Sequence, residues 1–334
     1  MTASEASSPL IEVRHLSRHF KVGGTLARKT LHAVDDVNFV IGDREIVALV
    51  GESGSGKSTI ARLLARVYKP TTGEIFYRGR PLSDIRSRRD SLGYRSDVPM
   101  VFQDPFSALS PAYRVSHGVL RSLKLHQPEL TVAQRMEEAE RLFEMVGLHP
   151  AADVLERYPH ELSGGQRQRI GFAQALACRP KLILADEPVS MLDVSIRIGL
   201  LNVMADLRET ADVSFLYITH DIASARYVAD RLMVMYAGRI VESGPIASVL
   251  ANPRHPYTQL LVSAVPDPRA PLAVTSDSDR GEPPRVIDPK PGCRFRWRCP
   301  VAINACSSLM PELAPVEPGH AVACHVAARA MDAA

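Results

Sequence analysis

RYPHELSGGQRQRIGFAQALACRPKLILADEPVSMLD, residues 157–193, contains the pattern that decides the fold. An LSGGQ pentapeptide, Leu162 to Gln166, precedes an apolar run, Lys181 to Ala185, that ends in Asp186 and Glu187. A continuous apolar run of this length with carboxylates at its end reads as a buried parallel strand. Upstream, GESGSGKST, Gly51 to Thr59, fits G-x-x-x-x-G-K-[ST], with Gly51, Gly56, Lys57 and Ser58 in the defining places. The strand expected over Glu45 to Val50 runs into this loop, and the helix expected over Ser58 to Val67 leaves it. Glycines, including Gly54, let the backbone wrap α- and β-phosphates, and Ser53 and Thr59 add hydroxyls along it. The helix start presents its positive end to the anion. Lys57 is placed to reach the β- and γ-phosphates, and Ser58 to ligate Mg²⁺. Asp186 is expected to bind Mg²⁺, and Glu187 to polarise an attacking water.

Composition sets the frame around these motifs. Of 334 residues, 46% are hydrophobic and 23% charged, enough for a packed core. A net charge of +3 points neither toward nor away from nucleic acid. MTASEASSPL at the start lacks the charged and apolar regions of a signal peptide. No apolar run approaches the roughly 18 residues a membrane span needs, so work at a membrane would require docking on other chains.

Along the chain, residues 11–22 read as an edge strand, 23–30 as a basic loop, and 37–40 as a short strand. Residues 104–160 carry helical patterns, notably Val132 to Val146, and suggest a helical subdomain inserted into a sheet domain. Ser214 to Thr219 reads as another buried strand, and Tyr236 to Arg239 as a turn between two late strands. The domain boundaries follow: 1–262 for the sheet domain with its helical part at about 104–165, a proline-rich linker at 263–292, and a cysteine-bearing module at 293–334. No internal repeat is visible. Arg86, Arg88 and Arg89 read as a solvated basic surface.

Cys293, Cys299, Cys306 and Cys324 place four thiols within 32 residues. Four thiolates suit zinc or an iron–sulfur cluster. The close C-x₂₋₄-C pairs of structural zinc sites are absent, and the wider gaps suit a bulkier cluster better. Metal-free thiols or disulfides are the third reading. Cys178, in FAQALAC, reads as core packing, and His320 and His325 as surface histidines.

The motifs together resemble the ABC ATPase superfamily. QDPFSALSP, RYPHELSGGQRQRI, ADEPVSMLDVSI, YITHDIASARYVADRLMVMYAGRIVE, NPRHPYTQLL and the cysteine tail narrow the resemblance to ATP-binding subunits of bacterial oligopeptide and dipeptide importers, over nearly all of residues 10–325. The resemblance implies an α/β fold: a P-loop ABC nucleotide-binding domain with a mixed sheet core and an inserted helical subdomain, plus a small Cys-rich C-terminal module. It makes Gln103 the glutamine that senses Mg²⁺ and the attacking water, His220 the histidine on the γ-phosphate, Asp193 the D-loop aspartate, and Phe20 the aromatic that stacks on adenine. Ser163, Gly164, Gly165 and Gln166 would complete the ATP site of a second ABC subunit, a paralogue or a copy of this chain. The resemblance further implies Mg²⁺ and ATP, a [4Fe–4S] cluster on the four tail cysteines, and two transmembrane permeases. A solute-binding protein would act through the complex, at the cytoplasmic face of the bacterial inner membrane, with no nucleic acid. The expected activity is ATP hydrolysis powering peptide import. The alternatives are another solute (a nickel chelate, an opine, an oligosaccharide) or a soluble ABC ATPase acting on nucleic acid. Two positions depart from the family pattern: Met191 replaces a small residue, and Gln174 stands where arginine is common.

Overall fold

The computed structural model describes residues 8–23, 29–104, 109–264 and 286–332, with side chains as far as residue 328. The chain divides into two compact units, one from 1–41, 47–82 and 220–334, the other from 42–46 and 83–219.

The first unit opens with β1 (Ile11–Val22) and β2 (Lys29–Ile41), an antiparallel pair with Ile11 opposite Ile41. β2 is much longer than the expected 37–40, and takes in Lys29 and Thr30 from the expected loop; residues 24–28 lie outside the described residues. Strand β3 (Ile46–Val50) is buried at every position and leads through the glycine-rich loop to helix α1 (Lys57–Leu64). β4 (Thr72–Tyr77) and β5 (Arg80–Pro81) complete a four-stranded sheet in the order β2–β1–β4–β5.

The second unit begins with α2 (Arg88–Asp97), a helix that its polar sequence conceals. Only Tyr94 in it is buried, and Ser87 caps it by accepting the Asp90 amide at 3.0 Å. Arg86, Arg88 and Arg89 are exposed, as expected. Then come β6 (Met100–Val101), α3 (Ser116–His126), α4 (Val132–Met145), α5 (Ala151–Leu155), α6 (Gly164–Leu176), β7 (Leu182–Asp186), α7 (Val194–Ala211) and β8 (Ser214–Thr219). Helices α3, α4 and α5 fall within the span 104–165, where a helical subdomain is expected; residues 105–108 lie outside the described residues. Ala139, Leu142 and Phe143 form the buried stripe of α4, at the three- and four-residue spacing of one helix face. β6, β7 and β8 are parallel neighbours, and β7 and β8 are buried throughout.

The chain then returns to the first unit with α8 (Ile222–Val228), β9 (Arg231–Tyr236), β10 (Arg239–Pro245), α9 (Ile246–Ala251) and α10 (Pro256–Ser263). β9 runs parallel to β3. The expected turn between the late strands is Ala237–Gly238, both in the left-handed region at φ 48° and 87°. Such a pair suits the right-handed twist of a two-residue hairpin. The linker region is described only at its ends. Ser263 closes α10, and residues 286–288 dock along β2, where the His32 amide donates to the Val286 carbonyl at 2.8 Å. The cysteine-bearing segment joins the sheet of the first unit. It contributes β11 (Ala314–Glu317) and β12 (His320–Val322), and β12 pairs antiparallel with β10, Glu242 opposite Val322. Helix α11 (His325–Asp332) follows.

Candidate active site

The glycine-rich loop of the first unit is held by contacts that only glycine permits. A Cβ on Gly51 would lie 2.1 Å from the Met235 carbonyl oxygen. One on Gly56, at φ 108°, would lie 2.1 Å from the Ala33 carbonyl. Gly54 also takes positive φ, 76°, whereas Ser53 is exposed. Lys57 is only 5% exposed, and its Nζ donates to the Gly51 and Glu52 carbonyls at 2.7 and 3.0 Å. The ammonium is thus fixed over the loop. Ser58 and Thr59 follow in the first turn of α1, which carries no acidic residue, so its positive end is unopposed. The Glu52 amide donates to the Tyr257 hydroxyl at 2.8 Å.

Phe20, in β1, is half-buried. The Arg18 guanidinium covers one face of its ring at 4.5 Å, and Tyr68 meets it edge-on at 5.4 Å. Nearby, His19, His32 and Asp35 bring three ligand-type atoms within 4.8 Å of one another. Arg294 pairs with the same Asp35, and Arg239 lies 3.7 Å from it. Two guanidiniums there oppose a dication. His220 is exposed immediately ahead of α8.

In the second unit, Asp186 closes β7 and is 5% exposed. Glu187 then turns the chain at φ 48°, and its amide donates to the Ile218 carbonyl at 2.9 Å. This turn aims the second carboxylate away from the strand. Gln103 Nε2 donates to Glu187 Oε2 at 3.2 Å, so the two residues expected to handle water face each other. Sequence reasoning missed Gln168, 1% exposed, which donates to the Phe102 carbonyl at 3.2 Å and braces the segment before Gln103.

Ser163 caps α6. Its Oγ accepts the Gln166 amide at 3.2 Å, and Gln166 Oε1 accepts the Ser163 amide at 3.0 Å, a reciprocal capping box. The first-turn amides of Gly164 and Gly165 belong to the positive end of α6. Gly165 has a packing reason: a Cβ would lie 2.3 Å from Ile196 Cγ2. Asp193 is the N-cap residue of α7, and beside it Met191 and Val194 are 62% and 69% exposed.

The tail cysteines are gathered in the first unit. The Cys293 amide donates to the Cys306 carbonyl at 2.9 Å. Burial first, and then charge on Cys306, Cys299 and Cys324, push the Cys293 thiol up to about 11. The Cys299 thiol is raised for the same reasons. Buried thiols that close ionise readily only around a cation. No three of them lie within 4.8 Å of one another. A zinc tetrahedron with Zn–S near 2.3 Å needs sulfurs about 3.8 Å apart. Cys178, just beyond the end of α6, is half-buried rather than sealed in the core, and borders an open groove.

His320 is not at the surface, as its sequence context suggested. It is 1% exposed, with Nε2 2.8 Å from Glu242 Oε1. Glu242 is fully buried on β10 and also accepts the Arg254 and His255 amides at 2.7 and 2.9 Å. A buried carboxylate demands such partners, and the tail supplies one of them. His325 bonds the Leu309 carbonyl at 3.0 Å.

Residues 34–190 match the ABC transporter family, and residues 241–306 match the oligopeptide/dipeptide transporter C-terminal region. A peptide import ATP-binding protein of Brucella ovis is 43% identical, over 95% of this chain and 98% of its own length. An oligopeptide transport ATP-binding protein of Bacillus subtilis is 41% identical, over 98% and 99%. Among solved structures, an ATP-binding cassette captured as a dimer with ADP and phosphate superposes with a TM-score of 0.63 at 26% identity, covering 71% of this chain and 98% of that one. Family models and full-length relatives agree, and the chain belongs to the ABC transporter ATP-binding proteins that carry the oligopeptide/dipeptide C-terminal region.

Proposed function

We propose that the chain hydrolyses ATP to power import of di- and oligopeptides across a bacterial inner membrane, working from the cytoplasmic face. The observation that carries this reading is full-length similarity to peptide-import relatives together with an intact set of Lys57, Asp186, Glu187 and His220. A purely structural subunit would have no use for all four.

Gly51, Ser53, Gly54, Gly56 and Thr59 shape the phosphate cradle, and Lys57 neutralises the β- and γ-phosphates. Ser58, Gln103 and Asp186 would hold Mg²⁺, which would supply charge neutralisation when bound. Glu187 takes the proton of the attacking water as general base, with Gln103 orienting that water. His220 contacts the γ-phosphate. Phe20 offers adenine the ring face that Arg18 leaves uncovered. Ser163, Gly164, Gly165, Gln166 and Asp193 serve the nucleotide of a second ATPase subunit, and exposed Met191 and Val194 would be covered by it. The functional division is 1–262 for the nucleotide-binding domain, 263–292 for the linker and 293–334 for the cysteine module.

Permeases would dock on the second unit, where an apolar groove of about 510 Å³ is lined by Met100, Phe102, Leu109, Gln174 and Cys178 among others. Cys293, Cys299, Cys306 and Cys324 would hold a [4Fe–4S] cluster; their mutual electrostatic effect supports one shared site, and the wide sequence gaps favour it over zinc. Its chemistry here is structural, fixing four thiolates in one place.

The test is reconstitution with two permeases and a solute-binding protein in proteoliposomes. Peptide should stimulate ATP hydrolysis and be taken up. Stimulation by a nickel chelate, an opine or an oligosaccharide, with none by peptide, would move the assignment to that solute.

A further inference from the structure

The segment from Cys293 to Cys299 reads C-R-F-R-W-R-C, and its side chains reach the phosphate-binding loop. Arg298 is 13% exposed, and its Nη1 donates to both oxygens of Glu52, at 3.1 and 3.0 Å. Glu52 follows Gly51 in the loop. It is gripped at three points: its carboxylate by Arg298, its amide by the Tyr257 hydroxyl, and its carbonyl by Lys57 Nζ. Arg294, 8% exposed, holds the loop from the other side. It donates to the Ala237 carbonyl and pairs with Asp35, and the neighbouring Gly238 amide donates to the Ser55 carbonyl at 2.8 Å. Between the two arginines, Phe295 is 2% exposed and wedges against Tyr236 and Tyr257, at ring-centre distances of 5.1 and 5.5 Å. The cysteine-bearing segment is therefore a clamp with one arm on Glu52 and the other on the turn that holds Ser55.

We propose that Arg298 is a positioning residue for the phosphate-binding loop, and that this clamp ties nucleotide affinity to how Cys293 and Cys299 are held. A partly buried, charge-assisted pair is stronger than an exposed one. Losing it frees Glu52, and with it the carbonyl that orients Lys57. The coupling to the cysteines rests on the iron–sulfur reading above; the role of Arg298 does not.

The experiment is a double-mutant cycle on the full chain, reading the Mg-ATP dissociation constant by calorimetry and the melting temperature without nucleotide. Arg298→Ala and Glu52→Gln should each weaken binding about tenfold, equivalent to about 1.4 kcal/mol. The double variant should be no weaker than either single. Arg298→Lys should recover part of the loss. Trp297→Ala, at a side chain 83% exposed in the same segment, should bind ATP like the unaltered protein. Binding within twofold of normal in Arg298→Ala, or two losses that multiply, overturns the role. If Arg298→Ala does not fold, the cycle of Arg298→Lys with Glu52→Gln decides by the same criterion. Cys299→Ser, purified anaerobically, separates the two readings. Lost iron with loosened ATP binding supports the coupling. Lost iron with unchanged ATP binding overturns the coupling and leaves the cluster. Unaltered protein without iron overturns the cluster reading and the coupling with it, while the Arg298 cycle stands on its own result.

Discussion

Acid should unfasten this protein at His255. The residue is 2% exposed and is the N-cap of α10, where its Nδ1 accepts the Tyr257 amide at 3.0 Å. An accepting nitrogen cannot carry a proton, and burial takes the imidazole down to about 3. In the unfolded chain it titrates near the ordinary value of about 6.5. Below that value the unfolded state binds the extra proton, so the folded state loses ground as pH falls from about 6.5 toward 3, and nothing further is gained above 6.5. The loss between pH 7 and pH 5 is about 2 kcal/mol, from 1.36 kcal/mol per pH unit. His255→Asn keeps a capping acceptor but removes the titration. Urea unfolding at pH 7, 6 and 5 should show the unaltered protein losing about 2 kcal/mol more than the variant. His32 and His126, whose protonation burial also disfavours, are common to both proteins and cancel. Because the neighbouring Tyr257 holds the Glu52 amide, ATP binding should weaken over the same range. Parallel stability curves for the two proteins would refute the argument.

Other variants probe other links. Lys57→Ala removes the ammonium bonded to the Gly51 and Glu52 carbonyls and should abolish measurable ATP binding by calorimetry. Gly165→Ala forces a methyl to 2.3 Å from Ile196 Cγ2; overpacking of this kind costs about 1–3 kcal/mol, and should lower the melting temperature and the hydrolysis rate of the assembled transporter while ATP binding to the single chain stays within twofold. Anaerobically purified protein should be brown with about four irons per chain, and Cys178→Ala should leave the iron content unchanged. Stoichiometric zinc in a colourless protein would contradict the cluster.

The elements that carry the candidate site were legible because the proposed chemistry ties them to residue types at fixed spacing. The loop, the Asp186–Glu187 strand end and the Ser163 cap lie where the sequence puts them. Helix ends fell within a few residues, as for α4, expected to Val146 and ending at Met145. What escaped reading was held by contacts distant in sequence. Helix α2 has a single buried residue and thus no apolar stripe to betray it. The pairing of the tail with the sheet was not legible, because its strands are three and four residues long and persist by borrowing the edge of β10. His320 read as a surface residue because its partner, Glu242, lies 78 positions away. The reach from Arg298 to Glu52, across 246 positions, left no local trace.

The most direct test of the central claim is Glu187→Gln in the assembled transporter. The change keeps the shape of a side chain set by the turn at φ 48° and faced by Gln103, and removes only its basicity. ATP binding should persist, turnover should fall by a factor of about 10² or more, and ATP-loaded dimers of the ATPase subunits should accumulate on gel filtration. Turnover within a few-fold of normal would contradict the assignment of Glu187 as the base and, with it, the hydrolytic mechanism proposed for this chain.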